Sequence, residues 1–115
     1  MSDIKRFETG PRMSQAVVHG GLVYLAGQVG TAGASVTDQT RDILANIDRL
    51  LASVGSDKSR ILQATIWMAS MDDFAEMNAV WDGWVSPGNA PARATGESRL
   101  ATADYKVEII CIAAL

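Results

Sequence analysis

Tyr105-Lys106-Val107-Glu108-Ile109-Ile110-Cys111-Ile112-Ala113-Ala114 is the stretch that decides the architecture. Successive side chains of a β-strand point to opposite faces of its sheet. Val107, Ile109 and Cys111 then share one face, and Glu108, Ile110 and Ile112 share the other. Apart from Glu108, both faces are apolar. Strands of this kind are covered on both sides.

Upstream, the chain supplies cover for one face only. Val36, Thr40, Ile43, Leu44, Ile47, Leu50, Leu51 and Val54 recur at spacings of three and four, the stripe of an amphipathic helix over 36–54. Ser35 or Thr37 suits its cap, Asp38 suits the positive end of its dipole, and Gly55 suits its stop. Residues 72–85 give a second helix, with Phe74, Met77, Val80, Trp81, Trp84 and Val85 near one face and Pro87 closing the region. Two helices cover one face of a single sheet. The other face is expected to pack on another copy of the chain in a closed cyclic assembly.

The remaining segments read as strands over 3–8, 14–19, 22–28, 60–69, 92–99 and 105–114. Gly20-Gly21 tolerates the positive φ of a tight hairpin turn. In 60–69, Leu62, Ala64, Ile66 and Met68 are expected on one face, and Gln63, Thr65 and Trp67 on the other. The order is β-β-β-α-β-α-β-β, an α+β fold with a mixed sheet and two helices on one face, in one domain over 1–115.

Composition narrows the function. The chain has 115 residues, 48% of them hydrophobic and 20% charged, which excludes a disordered chain and a second domain. Ten basic and 13 acidic residues leave a net charge of −3, without the clustered basic surface that phosphate-backbone binding needs. One cysteine excludes an internal disulfide and a multi-cysteine zinc site. The start lacks the apolar core of a secretory signal, and no apolar run approaches the roughly 20 residues that span a bilayer. A cytoplasmic setting is expected, with neither membrane nor nucleic acid as partner.

The familiar phosphate-loop, dinucleotide and zinc-protease motifs are absent. His19, the one histidine, falls at a hairpin tip and reads as a solvated turn residue rather than a triad base. Glu108 interrupts an apolar strand, so it is either half of a structural ion pair or a tuned acid or base. Arg93 follows Pro91-Ala92, and its guanidinium suits bidentate binding of a carboxylate. Composition alone favours a surface arginine beside a turn, and more strongly so for Arg12 and Arg6. Asn78 lies within the second helix, where solvent or a nearby loop is the plainer partner. Cys111 reads as a small core residue, and Trp67, Trp81 and Trp84 as core or subunit contacts.

Four stretches, taken in order, resemble the reactive intermediate deaminase family, also called RidA or YjgF-like proteins. They are Gly27-Gln28, Asp73-Phe74-Ala75-Glu76-Met77-Asn78, Ala90-Pro91-Ala92-Arg93 and Lys106-Val107-Glu108-Ile109. The resemblance covers nearly the whole chain and is closest to the small YoaB-like members. It implies a chorismate-mutase-like fold assembled as a homotrimer, with three sheets forming a central barrel and active sites in clefts between subunits. It also implies hydrolysis of small enamines and 2-imino acids, such as 2-aminoacrylate, to 2-keto acids and ammonia, with no metal or organic cofactor. By position, Arg93 matches the arginine that binds the substrate carboxylate, and Glu108 the acid that orients or activates water. Thr95 falls where a backbone carbonyl helps hold that water. Gly27 matches a glycine whose backbone lines the cleft, and Asn78 a helix asparagine shared by many members.

The chain departs from the better-studied members at Ala26, where they carry serine, at Arg12-Met13-Ser14, where an aromatic residue often stands, and at Ile110, where a second acid is common. Arg12 or Ser14 is therefore a further candidate for ligand contact. The carboxylate clamp and the acid are kept, while the pocket wall changes. The alternatives to a deaminase are a trimeric binding module or sensor for small carboxylate metabolites and, against the acidic charge balance, a ribonuclease.

Overall fold

The computed structural model describes residues 3–115. Six strands form one sheet: β1 (Lys5–Thr9), β2 (Ser14–His19), β3 (Leu22–Leu25), β4 (Ile61–Met68), β5 (Ala92–Glu97) and β6 (Val107–Ala114). Their spatial order is β1-β2-β3-β6-β4-β5. All neighbours are antiparallel except β4 and β5, so the sheet is mixed, as the element order implied. Gly20 and Gly21, at φ 61° and 80°, make the β2–β3 turn.

Helix α1 (Val36–Ser53) is bounded as its sequence dictates. The Ser35 hydroxyl accepts from the Asp38 N–H at 3.1 Å. At the far end Gly55 takes φ 82°, while Ser56 N–H reaches Leu51 O and Gly55 N–H reaches Ala52 O. That pair of bonds is a Schellman cap, which only a residue tolerant of positive φ closes cheaply. Ile43, Leu44, Ile47, Leu50 and Leu51 are buried, each contributing about 1.5–3 kcal/mol by leaving water. Helix α2 (Phe74–Trp84) follows a single 3₁₀ turn capped by Ser70. Thr37 N–H and hydroxyl both donate to Glu76 Oε2, which ties α2 to the start of α1.

Both helices lie on one sheet face, against Val107, Ile109, Cys111, Ala113, Ala64, Ile66 and Met68. Strand β6 alternates buried and half-buried along its length, with Glu108, Ile110 and Ile112 on the face the helices leave open. Register places Tyr24, Thr65 and Trp67 on that same open face.

Two expectations fail. Leu62 does not join the core face of β4, because a bulge between Ile61 and Gln63 places one extra residue opposite β6. Ile61 takes the buried position, and Leu62 is 49% exposed on the open side. Strict alternation cannot anticipate such an insertion, which turns the chain by one residue. The strand expected over 22–28 also ends earlier, at Leu25.

Candidate active site

Beyond Leu25 the chain bulges and then rejoins the sheet. Tyr24 pairs with Ile112 and Gln28 with Ile109, so the β3 side carries one residue more than β6. Gln28 pins the excursion: its N–H donates to Ile109 O and its carbonyl accepts from Ile109 N–H. Its buried amide nitrogen donates to Gln15 Oε1 and Ala26 O, at 2.9 and 3.0 Å. The bulge aims Gly27 at Glu108. A Cβ at Gly27 would stand 2.6 Å from Glu108 Oε2 and 2.9 Å from its carboxyl carbon. The carboxylate can lie across residue 27 as it does only because glycine has no side chain there.

Glu108 is half-buried on the open face, opposite Trp67 of β4. The Trp67 ring in turn lies over Gly96 of β5, where an added Cβ would meet it at 3.1 Å. Among the described residues the ion pairs are Arg41–Asp38 and Arg49–Glu8, and Glu108 belongs to neither. The structural ion-pair reading of Glu108 therefore finds no partner among the described residues.

Arg93 and Thr95 belong to the other face. They stand in register with Ala64 and Ile66, both fully buried beneath the helices. Phe74, Asn78 and Trp81 recur at i, i+4 and i+7 along one stripe of α2. The Arg93 guanidinium carbon sits 5.3 Å from the Trp81 ring centre and 5.9 Å from that of Phe74. No carboxylate lies within 4.0 Å of it among the described residues. Asn78 Oδ1 and Thr95 Oγ1 are both buried without a hydrogen-bond partner among the described residues. Unpaired buried oxygens are uncommon and costly, about 1–3 kcal/mol each.

The other candidates are more scattered. Ser14 opens β2, and its neighbour Gln15 accepts from the Ala26 N–H, so Ser14 lies at the Gly27 end of the sheet. Its hydroxyl is already bonded to that of Thr9 at 2.8 Å. Arg12 is exposed in the β1–β2 turn, and His19 is exposed at the hairpin tip. Cys111 is buried, and burial pushes its thiol up to about 12, so it is protonated at neutral pH. Among the described residues no group of three His, Cys, Asp or Glu side chains could hold a metal ion, and no helix is long and apolar enough to cross a membrane.

Gln39 belongs to the scaffold of the site, although the apolar stripe of α1 passes beside it unnoticed. It is wholly buried, and its amide donates to Ala34 O and Asp104 O and accepts from the Lys106 N–H. The strand carrying Glu108 begins one residue after Lys106. A signal was present: 39 lies three after Val36 and four before Ile43, inside the stripe.

A family model described as Endoribonuclease L-PSP matches residues 4–115. The chain belongs to the RidA/YjgF family. RutC family protein YoaB of Escherichia coli is 43% identical over 112 residues, covering 97% of this chain and 98% of its own length. A solved YjgF family member from Neisseria meningitidis is 50% identical and superposes with a TM-score of 0.95, covering 97% of this chain and 94% of its own. Reactive Intermediate Deaminase A of Arabidopsis thaliana chloroplasts is 34% identical over 109 residues, 89% of this chain and 58% of that protein. The two helices and mixed six-stranded sheet are the chorismate-mutase-like fold of this family, and the small YoaB-like branch is the one the sequence resembled.

Proposed function

We propose that the protein hydrolyses small 2-imino acids and their enamine tautomers to 2-keto acids and ammonia. The sites would form where β5 and α2 of one copy meet the open sheet face of another, in a cyclic homotrimer. The observation that carries the reading is Arg93, an unneutralised guanidinium held against aromatic rings and beside two unpaired buried oxygens. A relative named for reactive-intermediate deamination supports it.

The chemistry asks little of the protein. Arg93 takes the substrate carboxylate through two parallel N–H bonds, which fixes the adjacent C=N carbon. Glu108 of the neighbouring copy accepts a proton from water as its oxygen bonds to that carbon and the C=N π pair moves to nitrogen. From the protonated imine this gives a neutral carbinolamine, which takes that proton on nitrogen from Glu108. Its hydroxyl proton then passes to Glu108 as the oxygen lone pair forms the C=O and the C–N bond breaks, releasing ammonia and the keto acid. The Gly27 backbone allows the Glu108 carboxylate to lie flat against the wall. Asn78 and Thr95 offer their unpaired oxygens to ligand or water at the Arg93 end, and Arg12 and Ser14 border the Gly27 end. The apolar residues of the open face, Tyr24, Ile110, Ile112 and Trp67, would be covered by the other copies. The family model is named for an endoribonuclease, but a net charge of −3 disfavours a nucleic-acid substrate for this chain.

The test is hydrolysis of 2-iminopropanoate made in situ by an amino-acid oxidase, with semicarbazide trapping what the protein leaves. Faster imine loss with wild type than with Arg93→Ala is the expected result. No acceleration, joined to saturable binding of 2-keto acids, would replace the enzyme with a carboxylate-binding trimer.

A further inference from the structure

An arginine that captures a carboxylate from solution has two conflicting needs. Its long chain must be ordered beforehand, since ordering it on binding costs affinity. An acidic neighbour would order it but would also compete with the ligand for its N–H groups. An aromatic face avoids the conflict. The ring attracts the cation through its π face and leaves the N–H edge of the guanidinium free.

Arg93 meets this description, with Trp81 at 5.3 Å and Phe74 at 5.9 Å. Trp81 is itself immobilised. It is 5% exposed, and its ring lies 5.4 Å from that of Trp84 at 54°. Trp84 is fastened to α1, because its Nε1–H donates to Asp48 Oδ2 at 2.9 Å, and Lys58 caps its ring at 5.3 Å. The tilt of the surface under Arg93 is therefore set from the first helix, through two indoles.

We infer that Trp81 is a positioning residue that presents the Arg93 guanidinium to the carboxylate of the substrate, with Phe74 as the lesser second wall. The inference rests on the proposed role of Arg93 and adds a reason for the aromatic stripe on α2 beyond filling the core. It makes the stripe a determinant of carboxylate affinity. Ligands that keep the ketone but carry a carboxamide would gain nothing from it.

The experiment is titration calorimetry of 2-oxobutanoate and of 2-oxobutanamide on wild type, Arg93→Ala, Trp81→Leu, Trp81→Phe and Phe74→Leu. Trp81→Leu is expected to weaken 2-oxobutanoate about tenfold, and Phe74→Leu about threefold. Trp81→Phe should recover most of the loss, because it restores a ring face, and the carboxamide should be unaffected throughout. Should Trp81→Leu fail to fold, Phe74→Leu and Trp81→Phe still decide. Wild-type affinity in Phe74→Leu together with either wild-type affinity in Trp81→Leu or its failure to fold would overturn the inference. So would a Trp81→Phe variant that folds and binds as poorly as Arg93→Ala. If Arg93→Ala itself binds 2-oxobutanoate normally, the assignment of Arg93 fails first, which separates the two ideas.

Discussion

Arg93 and Glu108 project from opposite faces of one sheet, with β4 running between their strands. Arg93 lies under α2 and Glu108 lies over Gly27 on the open side. One chain therefore cannot bring the two groups onto one small ligand.

Subunit mixing tests that geometry. Arg93→Ala and Glu108→Gln alone should each lose about 100-fold or more in imine hydrolysis. Co-refolded in equal amounts as cyclic trimers, they should regain about a quarter of wild-type activity, because that fraction of sites pairs an intact arginine with an intact acid. Light scattering should find each parent variant trimeric. Absence of any regain in verified mixed trimers would place both groups in a single-chain site.

Gly27→Ala should separate activity from stability. The new methyl collides with the end of a flexible side chain rather than with backbone, so Glu108 can swing aside. The melting temperature should stay within a few degrees of wild type, while turnover falls about as far as in Glu108→Gln. Wild-type turnover would show that the carboxylate need not lie where the structure holds it.

Gln39→Leu should act on the fold. It removes three hydrogen bonds and orphans Ala34 O and the Lys106 N–H in a part-buried place, while Asp104 O keeps the Gly33 N–H. A loss of about 3 kcal/mol in denaturant unfolding is expected, since each orphaned buried group costs about 1–3 kcal/mol and relaxation recovers part. A loss below about 1 kcal/mol would mean that water replaces the amide.

Cys111 gives the molecule an alkaline weakness. Its thiol is raised from an ordinary value of 9.0 to about 12 by burial, so the folded state holds the proton longer than the unfolded one. The stabilisation is fully present below about pH 9 and is lost as pH rises through 12, with a slope of at most about 1.4 kcal/mol per pH unit. Cys111→Ala should flatten that part of the stability curve. Native protein should also resist thiol reagents at pH 8 until it unfolds. Rapid labelling of the native protein would contradict the burial.

Where local rules governed, the sequence was legible. The α1 stripe, a cap at Ser35 or Thr37 and the Gly55 stop follow from spacing and backbone preference, and the structure keeps the stripe and the stop and chooses Ser35 as the cap. The open sheet face was legible because Ile110 and Ile112 made β6 apolar on a side that two helices could not cover. Leu62 was misplaced because a bulge obeys no period. Gln39 was missed because its role depends on Asp104 O and the Lys106 N–H, 65 and 67 residues away in the chain. Trp81 looked like core, and it is core; the guanidinium laid against it comes from another strand and leaves no local mark. That Arg93 and Glu108 part company across the sheet follows from register, which spacing along one strand does not reveal.

The strand that holds Glu108 occupies the middle of the sheet, between β3 and β4, yet it is made after all the others. A chain synthesised as far as residue 106 contains both helices and five strands with the central slot still vacant. Two unpaired edges then face each other across a gap that only residues 107–114 can close, and unpaired edges invite other chains. Folding must wait for the end of this segment and then proceed as one event. A chain cut short before it is a sticky fragment rather than a weakened form of the folded protein.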